Sequence, residues 1–328
     1  MQMLTYLDGQ LPYKRAREVL EKIGGVHVSV SSNWRIAQMC GQQMRVMRSA
    51  EEAQMKAQAR EWSTPGGLPD PGARMGVAMD GAMMNIREEG WKEFKVGCVF
   101  KVTPKEHIDA QTGDRAMYGH ATESSYVAYL GGPETFGWHV WTESQRRGWV
   151  KACDTQVIGD AAVWIWKLQD EHFHGSVTLV DWYHAVEHLA TVKRLLYPES
   201  GAAASRWDNR QQTALYQGHA DRVARELNAA AAQEDEPERA SILRTEAGYF
   251  RNNRDRMHYQ ECRDAGWPIG SGMVESEAKQ FKTRVTGPGM RWSRPGADNI
   301  LAIGAAVLTG SERFDALWSA AYASLPLS

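Results

Sequence analysis

The chain has 328 residues, of which 43% are hydrophobic and 24% charged, enough for one large core or two smaller ones in series. Its formal net charge of −2 rules out a whole-molecule attraction to nucleic acid, so any DNA contact must come from local basic patches. Four cysteines, Cys40, Cys98, Cys153 and Cys262, include no Cys-x-x-Cys pair, which speaks against a zinc ribbon or a disulfide framework and predicts reduced thiols.

Met1–Arg15 lacks the charged-then-apolar pattern of a signal peptide, and the apolar run Ile300–Leu308 is too short to span a bilayer. A soluble, cytoplasmic protein without membrane contact is expected. Residues 1–62 read as helical. Pro12 suits a first helical turn, Gly24-Gly25 ends that segment, and Ser31-Ser32-Asn33 supplies caps for a second helix from about Trp34. Arg35, Arg45 and Arg48 share the second segment, so the pair reads either as a helix-turn-helix DNA reader or as a plain helical hairpin.

The Pro- and Gly-rich stretch Ser63–Gly72 marks a boundary, and a second domain is expected from about residue 73. Gly76–Met84, Phe94–Val102 and Tyr126–Leu130 read as strands. After a helical stretch, Thr155–Gly159 and Val177–Val180 read as two more. Three meandering strands followed by α/β alternation predict an α/β fold: a mixed sheet covered by helices, in the order of a ribonuclease-H-like fold. Residues 73–182 and 263–310 form this predicted catalytic domain, and 183–262 form an all-helical insertion.

Three acids stand at the ends of apolar segments or beside glycines. Asp80 follows Val77-Ala78-Met79, where a buried carboxylate needs a partner or a metal, although a turn-capping role explains it equally. Asp160 ends the strand Thr155–Gly159 before a helix, the edge at which α/β sheets place ligands; helix capping is its plain alternative. Glu275 lies in the Gly-rich segment Pro268–Ser276 as it enters a helix. Beyond it Lys279, Lys282, Arg284, Arg291 and Arg294 accumulate, with no acid between Glu277 and Asp298. A solvated basic face explains such a run; so does a phosphate backbone held beside metals.

Asp181–His188 contains two competing patterns. His184, Glu187 and His188 form His-x-x-Glu-His, the inverted zinc-protease spacing, while Asp181 and His184 form Asp-x-x-His at a strand end.

Taken together, several segments resemble bacterial insertion-sequence transposases of the ISKra group, related to the Mutator-like and ISL-type transposases. The matching pieces are Ala78–Ala82, Ile158–Ile165, Val180–His184, Tyr249–Asn253, Pro268–Ser276 and Gly287–Trp292, in family order over most of the chain. The resemblance implies a DDE-type DNA transposase. Asp80, Asp160 and Glu275 would be the catalytic, metal-holding triad, and Asp181 and His184 the accessory Asp-x-x-His motif, with Asp181 the rival for the second metal position. It implies Mg2+, with Mn2+ as a substitute, and in-line attack on DNA phosphodiesters by water and then by a 3′-hydroxyl. Lys279, Lys282, Arg284, Arg291, Trp292 and Arg294 would contact double-stranded DNA, both terminal inverted repeats and target, and a homodimer or larger assembly would join two ends.

This chain departs from that pattern in having Ala161 where relatives often have Gly, and Ile303-Gly304-Ala305 where Leu-Arg-Ala is more usual. It also starts close to its first helical pair, which puts part of the DNA-recognition apparatus in question. A truncated or domesticated DNA-binding protein and a zinc metalloprotease remain the alternative readings.

Overall fold

The computed structural model describes residues 1–59, 70–108, 113, 115–270 and 272–323, and the side chains of 273–278 fall outside the description. Most of the expected boundary, residues 63–69, therefore lies outside the described residues.

Three helices open the chain: α1 (Gln2–Gln10), α2 (Tyr13–Gly24) and α3 (Val30–Ala59). Pro12 precedes α2 as expected, and Gly25, at φ +64°, ends it by donating its amide to Glu21 O at 3.0 Å. The second predicted helix starts earlier than Trp34. Ser29, rather than Ser31–Asn33, caps it, with Oγ accepting from the Ser32 amide at 3.1 Å. Asn33 is buried and donates to Asp8 Oδ1 at 3.0 Å, so it joins α3 to α1.

Strands β1 (Asp70–Ile86), β2 (Gly90–Ile108) and β3 (Arg115–Tyr129) form an antiparallel meander. Helix α4 (Pro133–Arg146) leads to β4 (Ala152–Gly159), and α5 (Val163–His172) leads to β5 (Val177–Val180). Strand β4 runs parallel to β1 and β5 parallel to β4, giving a five-stranded mixed sheet of order β3-β2-β1-β4-β5. The helix between each of these strands is what allows parallel return.

From there the chain is helical: α6 (Trp182–Leu196), α7 (Ala202–Tyr216), α8 (Ala220–Gln233), α9 (Pro237–Asn253) and α10 (Tyr259–Asp264). Helices α11 (Gly272–Val285), α12 (Arg294–Thr309) and α13 (Ser311–Ala323) follow. One core joins the parallel strands to α4–α10 through residues such as Val157, Ile158, Leu179, Leu189 and Phe250. Another joins Ala37, Cys40 and Met44 of α3 to Met84 and Ile86 of β1, Phe94 of β2 and the buried length of α12. The N-terminal helices therefore share a core with the sheet and are not packed as a separate unit. No helix among the described residues is long and apolar enough to cross a membrane.

Candidate active site

The last paired row of the parallel ladder is Met79, Gly159 and Val180. The next residue on each strand is an acid: Asp80, Asp160 and Asp181. The Asp181 amide donates to Gly159 O at 2.8 Å, extending the β4–β5 pairing to this row. With strands spaced about 4.8 Å apart, neighbouring backbones in the row lie about 5 Å from one another. Three acids thus lie in one row across the sheet, at the carboxyl ends of β4 and β5, where open α/β sheets leave room for ligands, and part-way along β1, which runs on to Ile86.

The three differ in what holds them. Asp181 is 1% exposed, and its Oδ1 accepts from the Tyr183 and His184 amides at 2.7 and 3.2 Å, capping α6. Asp160 is half-buried, and its Oδ1 accepts from the Ala162 amide at 2.9 Å. Between them, Ala161 adopts φ +75°, a left-handed conformation that explains why glycine is the natural residue at that turn. Asp80 accepts from its neighbour's amide, Gly81 N, at 2.7 Å. Burial raises the Asp80 carboxyl, the Lys282 ammonium and His184 oppose this, and the charge of Asp160 adds to it. The acid that bears on Asp80 electrostatically is thus Asp160.

Helix α11 packs on β1 and β2 and brings Lys282 to Asp80. Its first turns contain the backbone of Glu275, two helical turns before Lys282; the Glu275 side chain is outside the described residues. Among the described residues, no group of three or more His, Cys, Asp or Glu is arranged to hold a metal ion.

The helical insertion also reaches the row. The Tyr249 hydroxyl on α9 is buried without a hydrogen-bond partner. Burial raises it above the ordinary tyrosine value, as do the charges of Asp160, Asp181, Glu246 and Glu187. Its ring stacks on His188 at 3.6 Å, and His188 Nδ1 lies 2.6 Å from Glu246 Oε2. Tyr249 and Glu246 belong to neither sequence pattern at Asp181–His188, although Tyr249 opens one of the segments that carry the resemblance. His184 is one-third exposed and 3.7 Å from Glu187. His188 is thus joined to α9 through the Glu246 carboxylate.

The residues expected to contact DNA divide into two groups. Lys279, Lys282 and Arg291 are exposed. Arg294 is partly exposed and ion-paired with Glu89 at 2.5 Å. Arg284 and Trp292 do not fit the expectation of surface phosphate contacts. Arg284 is 3% exposed and donates through Nε to Asp8 O at 2.6 Å, while the buried Trp292 indole donates to Val285 O at 2.8 Å. Of the arginines on α3, Arg45 bonds Asn299 and Asp298, and Arg48 donates to Ala128 O, so both anchor α3 to the sheet and α12. Only Arg35 of the three stays exposed, which weakens the helix-turn-helix expectation. A Cβ at Gly304 would meet Phe281 Cε1 at 2.9 Å, so a larger side chain there would require Phe281 to shift.

Beside the acid row opens a cavity of about 590 Å3, lined by Tyr118 and His120 of β3, Trp182 and Tyr183 of α6, and Trp267 and Gly270 before α11. The Trp182 amide donates to Ile269 O at 3.0 Å, fixing the loop against the start of α6. Among known proteins, no family model and no curated sequence matches the chain.

Proposed function

We propose that the chain is a DNA transposase of the DDE type, acting on phosphodiesters at insertion-sequence ends through Asp80, Asp160 and Glu275. The observation that carries this reading is the placement of Asp80 and Asp160 side by side on β1 and β4, with α11 laid over β1 so that Lys282 bears on Asp80. The sheet order β3-β2-β1-β4-β5, with helices between the last strands, supports the ribonuclease-H-like reading of the fold.

The donor set fits a divalent, oxygen-seeking ion such as Mg2+. Two carboxylates meet at one sheet edge, and the ionised form of Asp80 is disfavoured without further compensation. Asp80 and Asp160 would hold such ions together with Glu275, and the bound pair supplies activation of the attacking oxygen and stabilisation of the leaving one. Lys282 offsets negative charge next to Asp80, the place where a scissile phosphate would add more. Asp181, committed to capping α6, holds His184 and Tyr183 in place beside the row. The aromatic cavity flanking Trp182 and Tyr183 gives a strand leaving the acids a surface to lie on.

The test is cleavage of DNA carrying terminal inverted repeats with Mg2+ or Mn2+, at one salt concentration, for the full chain and for Asp80→Asn, Asp160→Asn, Asp181→Asn and Glu275→Gln. Loss of cleavage at Asp80, Asp160 and Glu275, with only weakening at Asp181, is expected. Full loss at Asp181 with activity kept in Asp160→Asn would move the second ligand to Asp181. DNA binding without cleavage by the wild type would favour a non-catalytic, transposase-derived binding protein.

A further inference from the structure

A second cavity, about 460 Å3, lies at the far end of β1, lined by Tyr13, Trp34, Arg87, Arg284, Arg291 and Trp292 among others. Ile86 lies six positions beyond Asp80 on β1, about 20 Å at ~3.3 Å per residue, so this cavity is distinct from the acid row. Its floor is fixed by backbone pairing. The Trp292 amide donates to Asn85 O at 3.0 Å and the Arg87 amide to Trp292 O at 2.9 Å. That bridge sets Arg87 and Arg291 next to each other, with Arg87 Nε 3.4 Å from Arg291 O, and both residues are exposed.

Arg284 forms the buried wall. Its guanidinium lies 4.8 Å from the centroid of the Tyr13 ring and 5.2 Å from that of Trp292, and its Nε is used on Asp8 O. The Tyr13 hydroxyl is hydrogen-bonded to the same guanidinium, so Arg284 stands as a fixed positive charge in the wall of the cavity, where it attracts an anionic ligand. Trp34 lines the same space while remaining 49% exposed, so a flat, apolar face is available to a ligand.

Guanidinium groups recognise phosphate oxygens, and exposed aromatic faces recognise nucleobases. The volume is within the range of roughly 300–1,000 Å3 typical of small-ligand sites. We propose that this cavity binds one unpaired nucleotide of a DNA strand, its base on Trp34 and its phosphate between Arg87 and Arg291, with the charge of Arg284 behind them. A paired base keeps both faces stacked and cannot offer one to Trp34. The proposal rests on the DNA reading of the acid row and extends it to a second contact point on the same strand or on its complement.

The experiment is fluorescence anisotropy with a labelled twelve-nucleotide single strand and a blunt duplex of the same length, in EDTA at fixed salt. It compares the full-length wild type, Trp34→Ala, Arg87→Ala/Arg291→Ala and a control, Lys167→Ala, at an exposed position on α5, each first checked by thermal melting. The expected result is a single-strand Kd weakened about tenfold or more by Trp34→Ala and by the double arginine variant, a smaller change for the duplex, and little change for Lys167→Ala. Unchanged single-strand binding in the Trp34 and arginine variants, with good wild-type affinity, overturns the nucleotide site and leaves the acid-row reading standing. Equal weakening for strand and duplex also overturns it, pointing to plain phosphate contacts. No wild-type binding to either probe overturns both readings together.

Discussion

The imidazole of His188 lies flat on the Tyr249 ring, 3.6 Å between centroids and 20° between planes, while its Nδ1 is 2.6 Å from Glu246 Oε2. This pair joins α6, which starts at the acid row, to α9 of the insertion, and so gives His188 a structural task. His188→Ala removes a partly buried hydrogen bond to Glu246 and a stacked ring, and is expected to lower stability by about 1–2 kcal/mol. Metal-dependent DNA cleavage should survive at temperatures where the variant is folded. Added zinc should raise the melting temperature of neither protein; a zinc-dependent rise in the wild type that His188→Ala abolishes would revive the metalloprotease reading.

Ala161 sits at φ +75° directly after Asp160. A side chain in this conformation costs about 1–2 kcal/mol, of which glycine recovers a part after its own entropic penalty. Ala161→Gly should therefore stabilise the protein by about 0.5–1 kcal/mol in chemical denaturation with an unchanged m-value. A destabilised variant would show that the Ala161 methyl makes packing contacts worth more than the strain.

Asp80→Asn separates stability from activity. Burial and the neighbouring Asp160 both disfavour the ionised Asp80 carboxylate, so a neutral side chain of the same shape should raise the melting point at pH 7.5, by about 1 kcal/mol of stability. The same substitution should abolish cleavage. If it lowers stability instead, Lys282 and His184 compensate the charge more fully than burial penalises it.

Asp8 gives the fold a pH dependence of its own. Burial raises its carboxyl from 3.8 to about 7, against the lowering effects of the Asn33 hydrogen bond and the Arg284 charge. The folded state thus binds a proton that the unfolded chain releases near pH 4. Its favourable contribution is complete below about pH 4 and is lost as the pH rises toward 7. Comparing wild type with Asp8→Asn between pH 4 and pH 8 isolates the effect: stability of the wild type relative to the variant should fall across that window. A constant difference would mean that Asp8 stays ionised beside Arg284.

The strand order could be read from the sequence because each strand carries a compact apolar run bounded by Gly or polar turns, as in Val77–Met79 and Val157–Gly159. Asp80, Asp160 and Asp181 stand out from the same runs, since each ends or interrupts one, but that they share a row comes from the register of β1, β4 and β5. Other features were hidden because they depend on contacts far apart in sequence. Arg284 belongs by composition to a basic surface run, yet its Nε meets Asp8 O across 276 positions. Arg48 looks like a DNA-reading residue on its helix, yet it donates to Ala128 O. Tyr249 could be flagged by its segment, but its closeness to Asp160 arises only from the packing of α9.

The hydrogen bond from Trp182 N to Ile269 O has a consequence for how this architecture can vary. Between those two peptides the chain makes its whole excursion through α6–α10 and comes back to where it left. Pinning the two ends of the excursion to each other holds the end of β5 and the approach to α11 together at one point, while the helices between them keep their packing on the parallel strands. Changes of length in connections that face away from the sheet can therefore leave the spacing of the acids as it is.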